Sequence, residues 1–284
     1  MDSVSQQSEA KTVRNIFDRN RKGSIMDNSF DLSKKTAIVT GGGSGLGKVM
    51  AMGLAGAGAD VVVADIRYEN ALEVAKSIGR LGRRSLPLKV DVVNPVQVRE
   101  MVETCVDQFG KIDILVNSAG VTVLGVPLID MSEADWDKIV DTNLKGTFLC
   151  NQAVARQMIL QKQGRIINIA SMSSTIVPRN PYGSSGVYCA SKAGVVLLTK
   201  AFAVDLAEYS ITVNAISPGY MRTPLVADFW ESDPGALHDK MAVTPMGRPG
   251  EPEELVGLVI YLASDSSTYM TGSNILIDGG YTCW

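Results

Sequence analysis

Seven short, almost unbroken apolar runs punctuate the chain after Lys35. They are Thr36–Thr40 (TAIVT), Asp60–Asp65 (DVVVAD), Leu86–Asp91 (LPLKVD), Ile112–Asn117 (IDILVN), Arg165–Ala170 (RIINIA), Ile211–Ile216 (ITVNAI) and Asn274–Asp278 (NILID). They are rich in β-branched residues and do not alternate apolar with polar, the pattern of strands covered on both faces. Helical signals fill the gaps. Asn94 as a cap, Pro95 at the first helical position and a closing Gly110 predict a helix over 94–110. Ser132 with Asp135 three residues later is a capping-box-like start for a helix running to Leu160. Strand alternating with helix predicts an α/β fold: a doubly wound parallel sheet with right-handed crossovers and helices on both faces. No repeat or linker interrupts it, so residues 32–284 read as one domain behind a polar extension, residues 1–31.

Composition narrows the function. A formal net charge of −3 gives no general attraction to nucleic acid or to an anionic membrane, so neither partner is expected. No uninterrupted apolar run reaches membrane-spanning length, and no signal-peptide core follows the start. Cys105, Cys150, Cys189 and Cys283 form no CxxC pair and read as buried free thiols of a reducing, cytoplasmic compartment. His238 is the only histidine; it reads as a loop residue, which leaves no metal site and no Ser–His–Asp hydrolase. The extension mixes both charge signs and reads as a mobile segment or an arm on a neighbouring subunit.

After the first strand comes TGGGSGLGK. A P-loop would need Ser or Thr where Val49 stands, and without that hydroxyl there is no Mg²⁺ ligand. GxGxxG fails in every frame. TGxxxGxG fits, with Thr40, Gly41, Gly45 and Gly47, and lets the backbone approach a pyrophosphate at a helix N-terminus. Asp65 ends the second strand, where an acid binds a ribose diol and repels a 2′-phosphate; this favours NAD over NADP, while Arg67 softens the preference. Asp91 and Asn117 end the next two strands, at the edge where ligands bind in such sheets.

Three polar features break the apolar pattern. Asn143 is in phase with Trp136, Ile139, Val140, Leu144 and Phe148, so it is expected in the buried stripe, bonded either to backbone or to a water in a site. Ser171 is the first residue past the fifth strand run. Tyr188 and Lys192 stand four apart on one helix face. A phenol of reference pKa about 10 is a poor base at neutrality, and a neighbouring ammonium with a positive nicotinamide ring would lower it.

Together these residues resemble the classical short-chain dehydrogenase/reductase family: TGGGSGLG, Asp65, Asp91, NSAG (usually NNAG), Asn143, Ser171, YCASK and PGYMRT, over roughly residues 32–284. The resemblance implies a Rossmann-type fold with a single seven-stranded sheet, and a homotetramer or a homodimer. It implies that Tyr188 is the acid/base, that Ser171 polarises the substrate oxygen, that Lys192 binds ribose and lowers the Tyr pKa, and that Asn143 anchors a relay water. It also implies NAD binding by Gly41, Ser44, Gly45, Leu46, Gly47, Asp65, Asp91, Val92, Asn117, Ala119, Gly120, Tyr188, Lys192, Pro218, Gly219, Met221 and Thr223.

The Ser171–Tyr188 spacing exceeds the family norm, with RNPYGSSG as an insertion, and leaves Ser173 a lesser candidate. The strings ASMSS, SPGYMRTPL and YMTGSNILIDGGYTCW look most like the sorbitol, mannitol, arabinitol, sorbose and gluconate dehydrogenases. The rim residues Thr122, Ser173, Ser174, Arg179 and Asn180 suit such a hydroxylated substrate. Tyr220–Gly250, with Trp230, Pro234 and His238, is expected to form a lid. The substrate class expected is a secondary alcohol or ketone. The alternatives are a bulky hydrophobic ketone (a steroid or acyl thioester) and a non-catalytic NAD-binding regulator.

Overall fold

The computed structural model describes residues 29–178, 186–223 and 234–284. The apolar runs form strands β1 Thr36–Thr40, β2 Asp60–Asp65, β3 Ser85–Lys89, β4 Ile114–Asn117, β5 Gly164–Ile169, β6 Ile211–Pro218 and β7 Asn274–Ile277. All pair in parallel, in the order β3-β2-β1-β4-β5-β6-β7. The order reverses between β1 and β4, which opens a crevice at their carboxyl ends. The inner strands β1, β4, β5 and β6 are buried throughout, whereas the edge strands β3 and β7 are half-buried.

Helices α1 Gly45–Gly56 and α2 Tyr68–Arg80 cover one face, and α3 Pro95–Phe109 covers the other. Adjacent strand residues feed opposite cores, as the pleat requires. Val39 and Val63 pack with Met50 and Leu54 of α1, while Ile38 and Val62 pack with Val98 and Met101 of α3. The predicted caps of α3 are present: Asn94 Oδ1 accepts from the Val96 and Gln97 amides, and Gly110 adopts φ 82°. Ser132 Oγ likewise accepts from the Asp135 amide.

The helix expected to run from Ser132 to Leu160 is interrupted. It divides into α4 Glu133–Val140, a π-helical turn Asp141–Lys145 and α5 Gly146–Gln161. The wider turn rotates the faces against one another. As a result Trp136 and Phe148, expected inside, are exposed, while Ile139, Asn143, Thr147, Cys150 and Asn151 are buried.

Helix α6 Gly186–Leu206 leads into β6. With the turn that follows it, Gly186–Tyr209 has the length and mean hydropathy (1.4) of a membrane span, but Val195, Thr199, Ala203 and Leu206 are buried within the fold. The expected lid contains α7 Pro234–Ala242, so exposed His238 is helical rather than in a loop. Helix α8 Val256–Ala263 packs on α1. All four cysteines are free; Cys283, against expectation, is exposed. Residues 1–28 of the extension, Arg179, Asn180, the rest of the insertion up to Ser185, and Trp230 lie outside the described residues.

Candidate active site

A cleft of about 1050 Å³ opens at the carboxyl ends of the strands, lined from Gly41 and Asp65 at one end to Ser171, Tyr188 and Thr223 at the other. Its floor is the turn from β1 into α1. Gly47 has no room for a side chain, because a Cβ there would overlap the Gly41 carbonyl. Gly45, at φ 50°, has nothing within 4 Å of where a Cβ would stand, so its missing side chain leaves open space in the cleft. That cradle at the start of α1, with free amides and the positive helix end, has the shape and polarity for a pyrophosphate.

Asp65, 6% exposed, is held at the end of β2 by two amides: Oδ2 accepts from Gly43 at 3.0 Å and Oδ1 from Arg67 at 3.0 Å. Its charge is thereby fixed at the cleft wall. Asp91 Oδ1 is set by the Val93 amide at 3.1 Å. Leu46, Val92, Ala119, Gly120, Pro218, Gly219 and Met221 line the same space, as does Ser44.

The opposite end is built from β5 and α6. Ser171 follows β5, and its Oγ accepts from the Ser173 amide at 3.1 Å, capping a short turn over Met172–Ser174. Ser171 and Tyr188 line the cleft together. Lys192, one turn beyond Tyr188, is buried and donates from Nζ to the Ile169 carbonyl at 2.7 Å, with Nζ 5.8 Å from the Tyr188 ring centre. An ammonium carries three N–H donors. One is used here, and the site in which Lys192 sits is the cleft itself.

Electrostatics at this end differ from the expectation that Lys192 would depress the phenol. Burial pushes the Tyr188 phenol above its ordinary value, and the Ser171 hydroxyl works against that rise. Burial also lowers the Lys192 ammonium to about 8. Desolvation disfavours both charged forms. The side chains alone therefore leave the phenol protonated at neutral pH.

Two expected site residues do not reach the cleft. Asn117 is buried, with Nδ2 donating to Asn151 Oδ1 at 2.7 Å and to Asn168 Oδ1 at 2.9 Å. α5 packs on that face of β4, and its buried Asn151 takes the amide that the strand end was expected to offer a ligand. Asn143 likewise turns its side chain to the protein: Oδ1 accepts from the Val121 amide at 2.8 Å, while Nδ2 donates to the Val121 carbonyl at 2.9 Å and to Ser191 Oγ at 3.1 Å. It clamps the loop after β4 to α6.

Of the rim residues, Thr122 and Ser173 line the cleft, whereas Ser174 Oγ lies 3.3 Å from Ser217 Oγ. The sequence reading did not assign Lys138, Asp141, Tyr220 and Lys240 to the site, yet they line the cleft. Tyr220 sits inside the quoted string PGYMRT; the two lysines left no signal beyond their charge.

The geometry agrees with the likeness to known proteins. A family model described as Enoyl-(Acyl carrier protein) reductase matches residues 41–282. A 3-oxoacyl-[acyl-carrier-protein] reductase from Thermotoga maritima is 39% identical over 88% of this chain and 98% of its own length. An NAD-dependent glycerol dehydrogenase from Listeria innocua is 41% identical over 90% of this chain and 97% of its own length. Among solved structures, a short-chain type dehydrogenase/reductase from Mycobacterium marinum superposes with a TM-score of 0.85 at 46% identity, covering 90% of this chain and 99% of that one. With the fold, the glycine cradle and the Ser–Tyr–Lys corner all in place, the chain belongs to the short-chain dehydrogenase/reductase family of oxidoreductases.

Proposed function

We propose that the protein is an NAD-dependent dehydrogenase that interconverts a secondary alcohol and its ketone, with a polyol or keto-sugar as substrate. The observation that carries this reading is the corner where Ser171, Tyr188 and Lys192 meet at one end of a cleft whose other end holds the glycine cradle. When bound, the nicotinamide ring accepts or supplies the hydride. Tyr188 handles the matching proton: its phenolate takes the proton of the carbinol hydroxyl as the C–H electron pair departs, and its phenol returns one in the reverse direction. Ser171 holds the substrate oxygen against Tyr188. Lys192 directs its remaining N–H groups to the ribose hydroxyls, and its charge favours the phenolate. Asn143 acts at a distance, as a positioning residue for the loop at Val121.

Asp65 supports NAD, because a 2′-phosphate would meet a carboxylate already fixed by Gly43 and Arg67. The glycerol dehydrogenase relative supports a polyol. The reductase relative supports a second reading, reduction of a 3-oxoacyl thioester. Apolar side chains exposed on α5 and α6, among them Leu160, Leu197 and Val204, fit a homotetramer. The free thiols fit a cytoplasmic enzyme.

The test is absorbance at the reduced-nicotinamide band, with NAD or NADP, over sorbitol, mannitol, glycerol, a hydroxysteroid and 3-hydroxybutyryl-CoA. NAD-dependent turnover of a polyol is expected. Turnover of the thioester alone would establish the second reading instead, and cofactor binding with no turnover would leave a regulator.

A further inference from the structure

Asn143 sits in the middle of the π-helical turn Asp141–Lys145, fully buried, and is held through its main chain as well as its side chain. Thr147 Oγ1 donates to its carbonyl at 2.7 Å. The amide group of an asparagine carries two N–H donors. Here one goes to the Val121 carbonyl at 2.9 Å and the other to Ser191 Oγ at 3.1 Å. An amide nitrogen only donates, so Ser191 Oγ is the acceptor of that bond and its own hydrogen serves a different partner. It is directed at the Tyr188 carbonyl, 2.8 Å away.

These bonds form one line, from Val121 in the loop after β4, through Asn143 and Ser191, to the main chain of Tyr188 in α6. Its two middle members are fully buried, Asn143 at 0% and Ser191 at 1% exposure, so water does not substitute for either bond. The loop is also threaded through the corner. A Cβ on Gly120 would stand 3.3 Å from Asn143 Oδ1 and 3.5 Å from Lys192 Nζ. The same loop, from Ser118 to Thr122, lines the cleft alongside Tyr188 and Lys192.

We infer that Ser191 is a positioning residue for the reaction: its hydroxyl ties the cleft-lining loop to the turn of α6 that carries Tyr188, and so holds the phenol in register with a nicotinamide resting against that loop. This rests on the dehydrogenase reading above and adds a residue to it. Ser191 touches no reacting atom. It acts through Asn143 on one side and the Tyr188 carbonyl on the other. Register matters because a displacement of about 1 Å can cost about 10²-fold in rate. Cofactor affinity is spread over contacts along the whole cleft and should barely notice.

The experiment compares the wild type with Ser191→Ala, Asn143→Ala, the double variant and Ser77→Ala. The last is the control: Ser77 Oγ makes the same kind of back-bond, to the Glu73 carbonyl at 3.1 Å, in α2 away from the cleft. With NAD and the alcohol of the panel above that the wild type oxidises fastest, Ser191→Ala is expected to lower kcat about tenfold. KM and the dissociation constant of NAD should each stay within about twofold. The double variant should lie within about twofold of Asn143→Ala, because the two residues act as one link. In the cofactor-free protein, hydrogen exchange read by mass spectrometry over residues 118–124 should run at least about fivefold faster in Ser191→Ala, and unchanged in Ser77→Ala.

A kcat within twofold of wild type in Ser191→Ala overturns the inference, whatever the exchange shows. So does a loss shared equally by kcat, KM and cofactor affinity, which marks general loosening, and so do losses that multiply in the double variant. If the wild type oxidises no alcohol of the panel, the dehydrogenase reading fails and the exchange decides alone. Acceleration in Ser191→Ala that the double variant does not exceed Asn143→Ala in showing sustains the link, whereas unchanged exchange overturns it.

Discussion

The two ends of the cleft are built by opposite means. At the cradle the main chain makes the site: α1 begins where glycines let the backbone come close, and Asp65 is aimed by amides rather than by other side chains. At the Ser171–Tyr188–Lys192 corner the side chains make it, and burial sets their charge states. The first end should therefore respond to an added methyl group and ignore pH. The second should respond to a single missing oxygen or nitrogen and depend on pH.

The largest effect belongs to Tyr188→Phe. Removing the phenolic oxygen leaves the ring and its packing but no group to carry the proton, so kcat should fall at least about 10³-fold. The dissociation constant of NAD, read by fluorescence titration, should move less than about threefold. A comparable loss of cofactor affinity would mean that the two ends are not separable.

Next comes Lys192→Met. The ammonium is depressed from 10.5 to about 8 by burial, a displacement equivalent to about 3 kcal/mol. At neutral pH the lysine is protonated in both the folded and the unfolded chain, so the whole cost of burying the charge is borne. Between about pH 8 and 10.5 the unfolded chain binds a proton that the folded one does not, so wild-type stability gains across that window as pH rises. The methionine variant should start out more stable near pH 7 by up to about 2 kcal/mol, the burial cost less the lost bond to Ile169. That advantage should shrink towards pH 10.5. Urea unfolding of both proteins at several pH values measures it, and parallel curves would show that Lys192 is not held as a buried cation. Cofactor affinity should fall in the same variant, since the ribose loses its donor.

How much of this was legible in the sequence follows the same division. The strands were readable because unbroken β-branched runs have few other fates, and all seven lie within two residues of their expected bounds at both ends. The cradle was readable because only glycine tolerates such close backbone approach, so the requirement is written in residue type. Ser171, Tyr188 and Lys192 were readable because hydroxyl, phenol and ammonium at those spacings are costly to bury without a purpose.

What escaped depended on contacts between distant segments. Asn117 stands at a strand end like Asp65, yet the competing partners are Asn151 and Asn168, 34 and 51 residues away. The π-turn that exposes Trp136 and Phe148 leaves the helical periodicity intact on either side, so the apolar pattern does not betray the rotation. The charge state of Tyr188 escaped for a related reason: the sequence shows the neighbouring lysine but not the burial that outweighs it.

The cradle end is probed next by Gly47→Ala. The added methyl meets the Gly41 carbonyl with no flexible atom to yield, and overpacking of this kind costs about 1–3 kcal/mol. Cofactor binding should weaken along with thermal stability, and neither loss should vary with pH between about 6 and 9. Gly56→Ala, at the far end of the same helix with nothing within 4 Å, serves as the control and should raise stability by about 0.5–1 kcal/mol.

The smallest effect sharpens the comparison most, because it separates charge from shape at the cradle. Asp65→Ser keeps one acceptor for the Gly43 and Arg67 amides but removes the negative charge. Arg67, which lines the same wall, then faces the 2′ position without opposition. The ratio of kcat/KM with NAD to that with NADP should fall about tenfold, close to 1.4 kcal/mol. Arg67→Ala alone should leave the NAD value within about twofold, whereas in the Asp65→Ser background it should abolish the gain with NADP. That non-additivity is the signature of two side chains competing over one site. If Asp65→Ser instead lowers activity with both cofactors equally, Asp65 matters as the brace of the glycine turn, and the backbone alone governs that end of the cleft.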